Sequence, residues 1–350
     1  ASDGLGFPRC EDANDPDGWG SGPHPMNKIG RLRISTAVGY LASARARPNL
    51  RIIANTTTRR LLFDGARLSG VAIERDGQVE TVHGRLVVLS AGAIQSPAIL
   101  MRSGVGPKEE LARHGIELVA DARGVGTRLS DHPALAVACT VKDPSNLDAD
   151  QPIVQTILRY TAPDSPHRND LQIEAFSFSP RGGPLNAFAV AAVLEQANGT
   201  GTLRLASADP HAGPIIEQRF CEDPEDLRRL TACFRDCLKF VESGPLAELI
   251  DQVVFPSPER ELTDESIGVL LKKLAASGFH PSATVPMGPA SEPTAVVDQY
   301  GRLHGFEGLA VADASIMPSV VRANTNLTSI MIGEMVGDWV LRRGGELYGL

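Results

Sequence analysis

Leu86-Val87-Val88-Leu89-Ser90-Ala91-Gly92-Ala93-Ile94-Gln95-Ser96-Pro97 decides the fold class. The run Leu86 to Leu89 is apolar throughout, which predicts a parallel strand buried on both faces. It leads through Ala91-Gly92-Ala93 into a helix expected to begin near Ser96-Pro97, because proline suits a first helical turn. A strand, a glycine and a helix N-terminus in succession make the junction where α/β folds place ligands. Small side chains let a bound group approach the backbone, and the helix end offers N–H groups with partial positive charge. Ser103-Gly104-Val105-Gly106-Pro107 is read as the end of that helix.

Upstream, Thr58 to Phe63, Leu68 to Glu74 and Gln78 to His83 predict a three-strand meander with turns at Asp64-Gly65 and Asp76-Gly77. Leu50 to Ala54 reads as a short strand. Ser35 to Arg47 reads as a helix capped by Ser35, stopped by Pro48, with Val38, Leu41 and Ala42 on one face. Residues 1–30 are turn-rich. After Asp131-His132-Pro133 the pattern changes to strands at 135–141, 171–178, 188–195 and 201–205, mainly antiparallel. Residues 143–169 are polar and Pro-rich around one short apolar stretch. A helix follows Pro224 with Leu227, Leu230, Cys233, Phe234 and Cys237 on one face, and another spans about 263–276, capped by Thr263. Phe176, Phe178 and Phe188 are candidates for an apolar pocket, with a core role as the alternative. The expected class is α/β with an α+β part built on a mainly antiparallel sheet.

A chain of 350 residues, 42% hydrophobic and 22% charged, has room for two domains. A net charge of −8 without a long basic run argues against a nucleic-acid partner. Apolar stretches such as Phe188 to Leu194 are far too short to span a bilayer. The five cysteines are scattered and odd in number, which predicts reduced thiols and a cytoplasmic protein. Cys233 and Cys237 share a helix face but lack further ligands nearby, so they are read as buried thiols and no metal is expected. Ala1 to Cys10 has no apolar core of a signal peptide, and the chain begins without Met, as a part of a longer gene product would.

The chemistry-bearing residues lie near the C-terminus. His280 heads His280-Pro281-Ser282-Ala283-Thr284-Val285-Pro286-Met287-Gly288, and Asn324 stands in Arg322-Ala323-Asn324-Thr325-Asn326. An imidazole can take a proton near pH 7, and a positioned base is worth roughly 10²–10⁴ in rate. Asn324 cannot act as a base; it can hydrogen-bond a substrate oxygen, or serve as a helix cap. Leu309-Ala310-Val311-Ala312-Asp313-Ala314-Ser315 is a strand ending in an acid and two small residues, where Asp313 suits a cap.

Together with Ser90 to Gly106, these stretches resemble the glucose-methanol-choline (GMC) oxidoreductases, which oxidise alcohols with FAD. The resemblance covers about Gly6 to Leu341 and is strongest at 85–107 and 278–336. It implies a partial, Rossmann-like FAD-binding domain at 30–128 and 296–350. It further implies a substrate-binding domain at 129–295 with a substrate-side loop at 1–29. His280 would take the hydroxyl proton of a small-molecule alcohol while hydride leaves for FAD, and Asn324 would hold the substrate oxygen. Thr58 would meet adenine through its backbone. Ala91, Gly92, Asp313 and Ala314 would meet the flavin's linking part, and Asn324, Thr325 and Asn326 its ring.

The Gly-rich dinucleotide fingerprint of that family is missing. Gly4-x-Gly6 precedes no helix, Gly18-x-Gly20-x-Gly22 sits in a Pro-rich loop, and Gly124-x-Gly126 follows no apolar run. The expectation is a fragment that holds FAD weakly and purifies nearly colourless, with the missing N-terminal segment as a partner. A hydroxynitrile lyase on the same fold and a non-catalytic binding fragment are the alternatives.

Overall fold

The structure, a computed structural model, describes residues 1–147, 151–177 and 187–350. The chain divides into two compact units, one of 1–46, 132–199 and 220–278, the other of 47–131, 200–219 and 279–350. The boundaries therefore differ from those expected at 30, 129 and 296. Residues 30–46 belong with the first unit. The pieces 200–219 and 279–295 belong with the second, because their backbones pair there: Leu129 with Gly201, Ser130 with Ser282.

The first unit is an antiparallel sheet of Gly20–Pro23, Val154–Tyr160, Leu171–Phe176, Ala187–Leu194, Pro133–Val141 and Ile250–Phe255, in that spatial order; short Ala276–Ser277 also pairs with Pro133–Val141. Strand Val154–Tyr160 was not anticipated. A register shift between Val154 and Ile157 breaks its alternation, and Gln155, Thr156 and Arg159 disguise it as polar loop. One face of the sheet packs on helix Pro224–Glu242, whose Leu230, Cys233, Phe234 and Cys237 are fully buried. Asp223 caps that helix with Pro224 in its first turn. Thr263 caps Asp264–Leu274 as expected. All five cysteines are unpaired and buried.

Side chains on neighbouring strands alternate between faces. Phe188 sits opposite Cys139 and packs with the helix-covered core, whereas Phe176, opposite Ala189, points to the other face. The two rings therefore do not line one pocket; Phe178 lies outside the described residues. That other face carries Gln172 and Glu174 over Ala191 and Ala136.

Just beyond strand Ala187–Leu194, Glu195 is buried with both carboxylate oxygens unpaired. His132 Nδ1 stands 3.6 Å away, beyond a hydrogen bond. Burial, aided by the Glu174 charge and opposed by Arg159, pushes the Glu195 carboxyl from 4.5 up to about 8. Between those two pH values the folded chain holds a proton that the unfolded chain has lost, so stability falls as pH rises through the window. Glu195→Gln removes this loss. Its melting temperature should exceed wild type at pH 8.5 and match it near pH 4.5; an equal shift at both pH values would refute the assignment.

In the second unit the meander forms as expected, from Thr57–Asp64, Arg67–Arg75 and Gln78–Val82. Asp76 and Gly77 both have positive φ, the signature of a tight hairpin turn. Strand Val87–Leu89 pairs in parallel with Leu309–Val311. Val88 is 41% exposed, so the strand is covered on one face rather than both. Around it lie Leu61, Leu100, Met101, Val125, Leu203, Val297 and Val311, a fully or nearly fully buried core. Gly124 and Gly126 serve this packing: a Cβ on Gly124 would stand 1.9 Å from the Thr294 carbonyl oxygen, and one on Gly126 2.3 Å from that of Leu203.

The helix after this strand starts at Gly92, not near Ser96, and runs to Arg102 with Pro97 inside it. Proline has no N–H, so the carbonyl of Ala93 loses its helical partner. Thr284 Oγ1 donates to it at 2.7 Å in the fully buried interior, which explains how the proline is accommodated. Thr284→Val strips that donor and should cost about 1–3 kcal/mol in urea unfolding; an unchanged midpoint would deny the bond its role.

Two expected elements are corrected. Residues 37–44 form only short helical turns, Ala37–Leu41 and Ala42–Ala44, and Leu50 to Ala54 forms no strand. Ser35 Oγ does accept the Val38 N–H, yet Val38, Tyr40, Leu50 and Ile52 are all exposed. Neither pattern has a surface of its unit to bury itself against. Among the described residues no helix is long and apolar enough to cross a membrane.

Candidate active site

His280 and Asn324 meet in the second unit. Asn324 Nδ2 lies 3.1 Å from His280 Nε2. An amide nitrogen only donates, so in this orientation Asn324 gives a hydrogen bond to Nε2 in the ring tautomer that carries its proton on Nδ1. Asn324 is the N-cap of helix Thr325–Tyr348 but makes no capping hydrogen bond with its side chain. The amide that would cap the helix is turned to the imidazole instead. Both side chains are half-buried.

The loop bearing His280 is fastened on three sides. Asp131 Oδ1 accepts the His280 N–H at 3.0 Å, and Ser130 and Ser282 exchange backbone bonds of 3.0 and 2.8 Å. Thr284 reaches Ala93 as described. Ala283 N–H donates to the Ala314 carbonyl at 3.2 Å, and Val285 N–H to Ser315 at 2.8 Å. Sequence motifs far apart thus come together through backbone pairing.

Asp313 is the clasp between two of them. Its Oδ2 accepts from Gly92 N–H at 2.9 Å and Ser96 Oγ at 2.5 Å, while Oδ1 accepts from Ser315 N–H at 2.8 Å. Ala91 N–H donates to Ser96 Oγ at 3.1 Å. A carboxylate at a helix N-terminus is favoured by the uncompensated N–H groups there. Gly92 has φ +80°, a conformation side chains disfavour, and open space where a Cβ would stand. Thr325 and Asn326 open the helix that Asn324 caps.

Thr58 stands apart from this cluster. It pairs with Ile73 in the meander, which is tied to helix Gly92–Arg102 by Leu61 N–H donating to Ser103 Oγ and by Arg102 Nε donating to the Arg59 carbonyl. The sequence reading missed Asp131, Ser96 and Thr284 as supports. Asp131 had no periodic or motif signal of its own, Ser96 was read only as a helix start inside its motif, and Thr284 was noted only as a motif letter.

Asp298 and His304 are structural: Asp298 accepts from Arg302 at 2.7 Å and His304 Nε2 meets the Gly288 carbonyl at 3.0 Å.

The chain matches known proteins along most of its length. Two GMC oxidoreductase family models match, one over residues 1–134 and the other over 197–333. The chain is 34% identical to the 5-(hydroxymethyl)furfural oxidase of Methylovorus sp., over 97% of this chain and 67% of that protein. It is 33% identical to the oxygen-dependent choline dehydrogenase of Serratia proteamaculans, over 97% and 66%. The crystal structure of pyridoxine 4-oxidase from Mesorbium loti superposes with a TM-score of 0.89 at 22% identity, over 98% of this chain and 68% of that one. Solved proteins of this fold include an FAD-dependent oxidoreductase. The chain spans about two-thirds of the length of the curated relatives it matches, 64% for a GMC-type oxidoreductase of Rhodococcus erythropolis. On the matching family models and on this identity over nearly its whole length, the chain belongs to the GMC oxidoreductase family.

Proposed function

We propose that the protein oxidises a CH–OH donor with FAD, using His280 as the base and Asn324 to position the reacting oxygen. The observation that carries this reading is the 3.1 Å contact between Asn324 Nδ2 and His280 Nε2. In the tautomer with the proton on Nδ1, Nε2 accepts this bond and can take a proton, as a base must. The substrate hydroxyl would give its proton to Nε2, and the Asn324 N–H would turn from the ring to the substrate oxygen. An Asn and a His placed so hold the oxygen in one orientation before the proton moves.

The residues present fit a flavin. The N-terminus of helix Thr325–Tyr348 has no side-chain cap and no acid in its first turn, so its N–H groups can donate to the acceptor oxygens and nitrogens of a flavin ring. Thr325 and Asn326 would hold the ring there. Gly92 leaves open space and Ala91 and Ala314 are small, which suits close approach of the linking part, with Asp313 joining the two segments that carry them. FAD, when bound, supplies the two-electron acceptor that turns a carbinol into a carbonyl.

The relatives' names, a 5-(hydroxymethyl)furfural oxidase and an oxygen-dependent choline dehydrogenase, favour small primary alcohols as substrates. The test is anaerobic bleaching of the flavin absorbance in the FAD-loaded protein across a panel of such alcohols. Bleaching that yields the aldehyde supports the reading; a flavin that stays oxidised with every member would end it.

A further inference from the structure

We propose that Asp131 is the positioning residue that aims the His280 imidazole, and that Gln218 holds Asp131 in place. The proposal rests on the reading of His280 as the base. Asp131 is 2% exposed, and its carboxylate touches the histidine backbone. Oδ1 accepts the His280 N–H at 3.0 Å, and Oδ2 accepts Gln218 Nε2 at 3.2 Å. The Gln218 amide cannot be reversed without setting its carbonyl oxygen against the carboxylate. Its own Oε1 is buried without a partner, a cost the structure accepts to keep Nε2 on Asp131.

The backbone around His280 needs such an anchor. Phe279 has φ +65° and Ala283 φ +63°, left-handed conformations that side chains adopt only when the surroundings impose them. Phe279 is 81% exposed and lies outside the core. The anchor itself is rigid. Leu129 exchanges bonds of 3.0 and 2.7 Å with Gly201, and Ser130 bonds of 3.0 and 2.8 Å with Ser282. Asp131 follows directly in this twice-paired segment. A hydrogen bond from an amide to a carboxylate is stronger than one to a neutral acceptor. It sets where the His280 Cα stands, and therefore whether Nε2 reaches Asn324.

The experiment reads the ring directly, by nitrogen-15 NMR of histidine-labelled protein above the imidazole titration. Wild-type His280 should show a single tautomer with Nε2 unprotonated. Asp131→Ala should give averaged tautomers. Asp131→Asn keeps an oxygen for the His280 N–H and should restore the wild-type pattern. In the FAD-loaded protein, Asp131→Ala should lower kcat about 10- to 100-fold with KM nearly unchanged, the signature of lost orientation. A folded Asp131→Ala protein with the wild-type tautomer and wild-type kcat overturns the proposal. Should that variant fail to fold, Gln218→Leu decides: averaged tautomers sustain the proposal and a wild-type spectrum overturns it. His280→Gln separates the two readings. If it keeps full turnover, the base assignment fails; if it is inactive while Asp131→Ala is normal, only the positioning role fails.

Discussion

His280→Ala should lower the turnover of the FAD-loaded protein by about 10² to 10⁴, the usual contribution of a positioned general base. The melting temperature should stay close to wild type. The imidazole is half-buried and its fold-holding contacts run through the backbone, from the Asp131 carboxylate to the His280 N–H. Asn324→Ala should cost less, about 10-fold in kcat, because it removes orientation but leaves the base. The double variant should be no worse than about His280→Ala alone, since the two groups act on one proton and are not additive. Stopped-flow flavin reduction measures the chemical step without product release. A His280→Ala protein that reduces its flavin at the wild-type rate would remove the histidine from the mechanism, whatever the fold.

The candidate site at this end of the chain was legible because its residues fall in short contiguous stretches. His280, Asn324, Gly92 and Asp313 each sit inside a motif, and the structure joins them through local bonds: Asn324 to His280, Asp313 to Gly92. What holds them was not legible. Asp131 and Gln218 are single polar residues in unmarked context, and their value depends on a fold that sets them against His280. Pro97 pointed to the wrong helix start, since a proline inside a helix is tolerable only with an outside donor, and Thr284 lies far along the chain. The periodicity of 35–47 predicted a packed helix, but pattern states only which face would be buried. It does not provide the surface, and Val38 and Tyr40 remain exposed. Strand Val154–Tyr160 failed for the opposite reason: its neighbours impose pairing that an irregular register and polar residues conceal.

Arg229→Met should destabilise the first unit by about 3–5 kcal/mol, the usual loss when one partner of a buried ion pair is removed. Arg229 is fully buried on helix Pro224–Glu242 and donates to Asp170 Oδ2 at 2.8 Å, Asp226 Oδ1 at 2.7 Å and the Gln196 carbonyl at 2.9 Å. Each carboxylate also organises a loop. Asp170 accepts from Ala162 N–H at 2.9 Å and Ser165 Oγ at 2.6 Å; Asp226 accepts from Asn198 and Gly199 N–H, both at 2.8 Å. Methionine matches the length of the arginine stem, so the loss is not one of packing volume but of two buried negative charges left without a cation. Asp170→Asn in the same background removes one of those charges and should recover part of the stability. The single-variant losses should therefore sum to more than the double-variant loss. Amide exchange along strands Leu171–Phe176 and Ala187–Leu194 during urea unfolding reads this unit without the other. If Arg229→Met shifts that exchange by less than about 1 kcal/mol, the range of an exposed pair, the guanidinium is not what joins the loops to the helix.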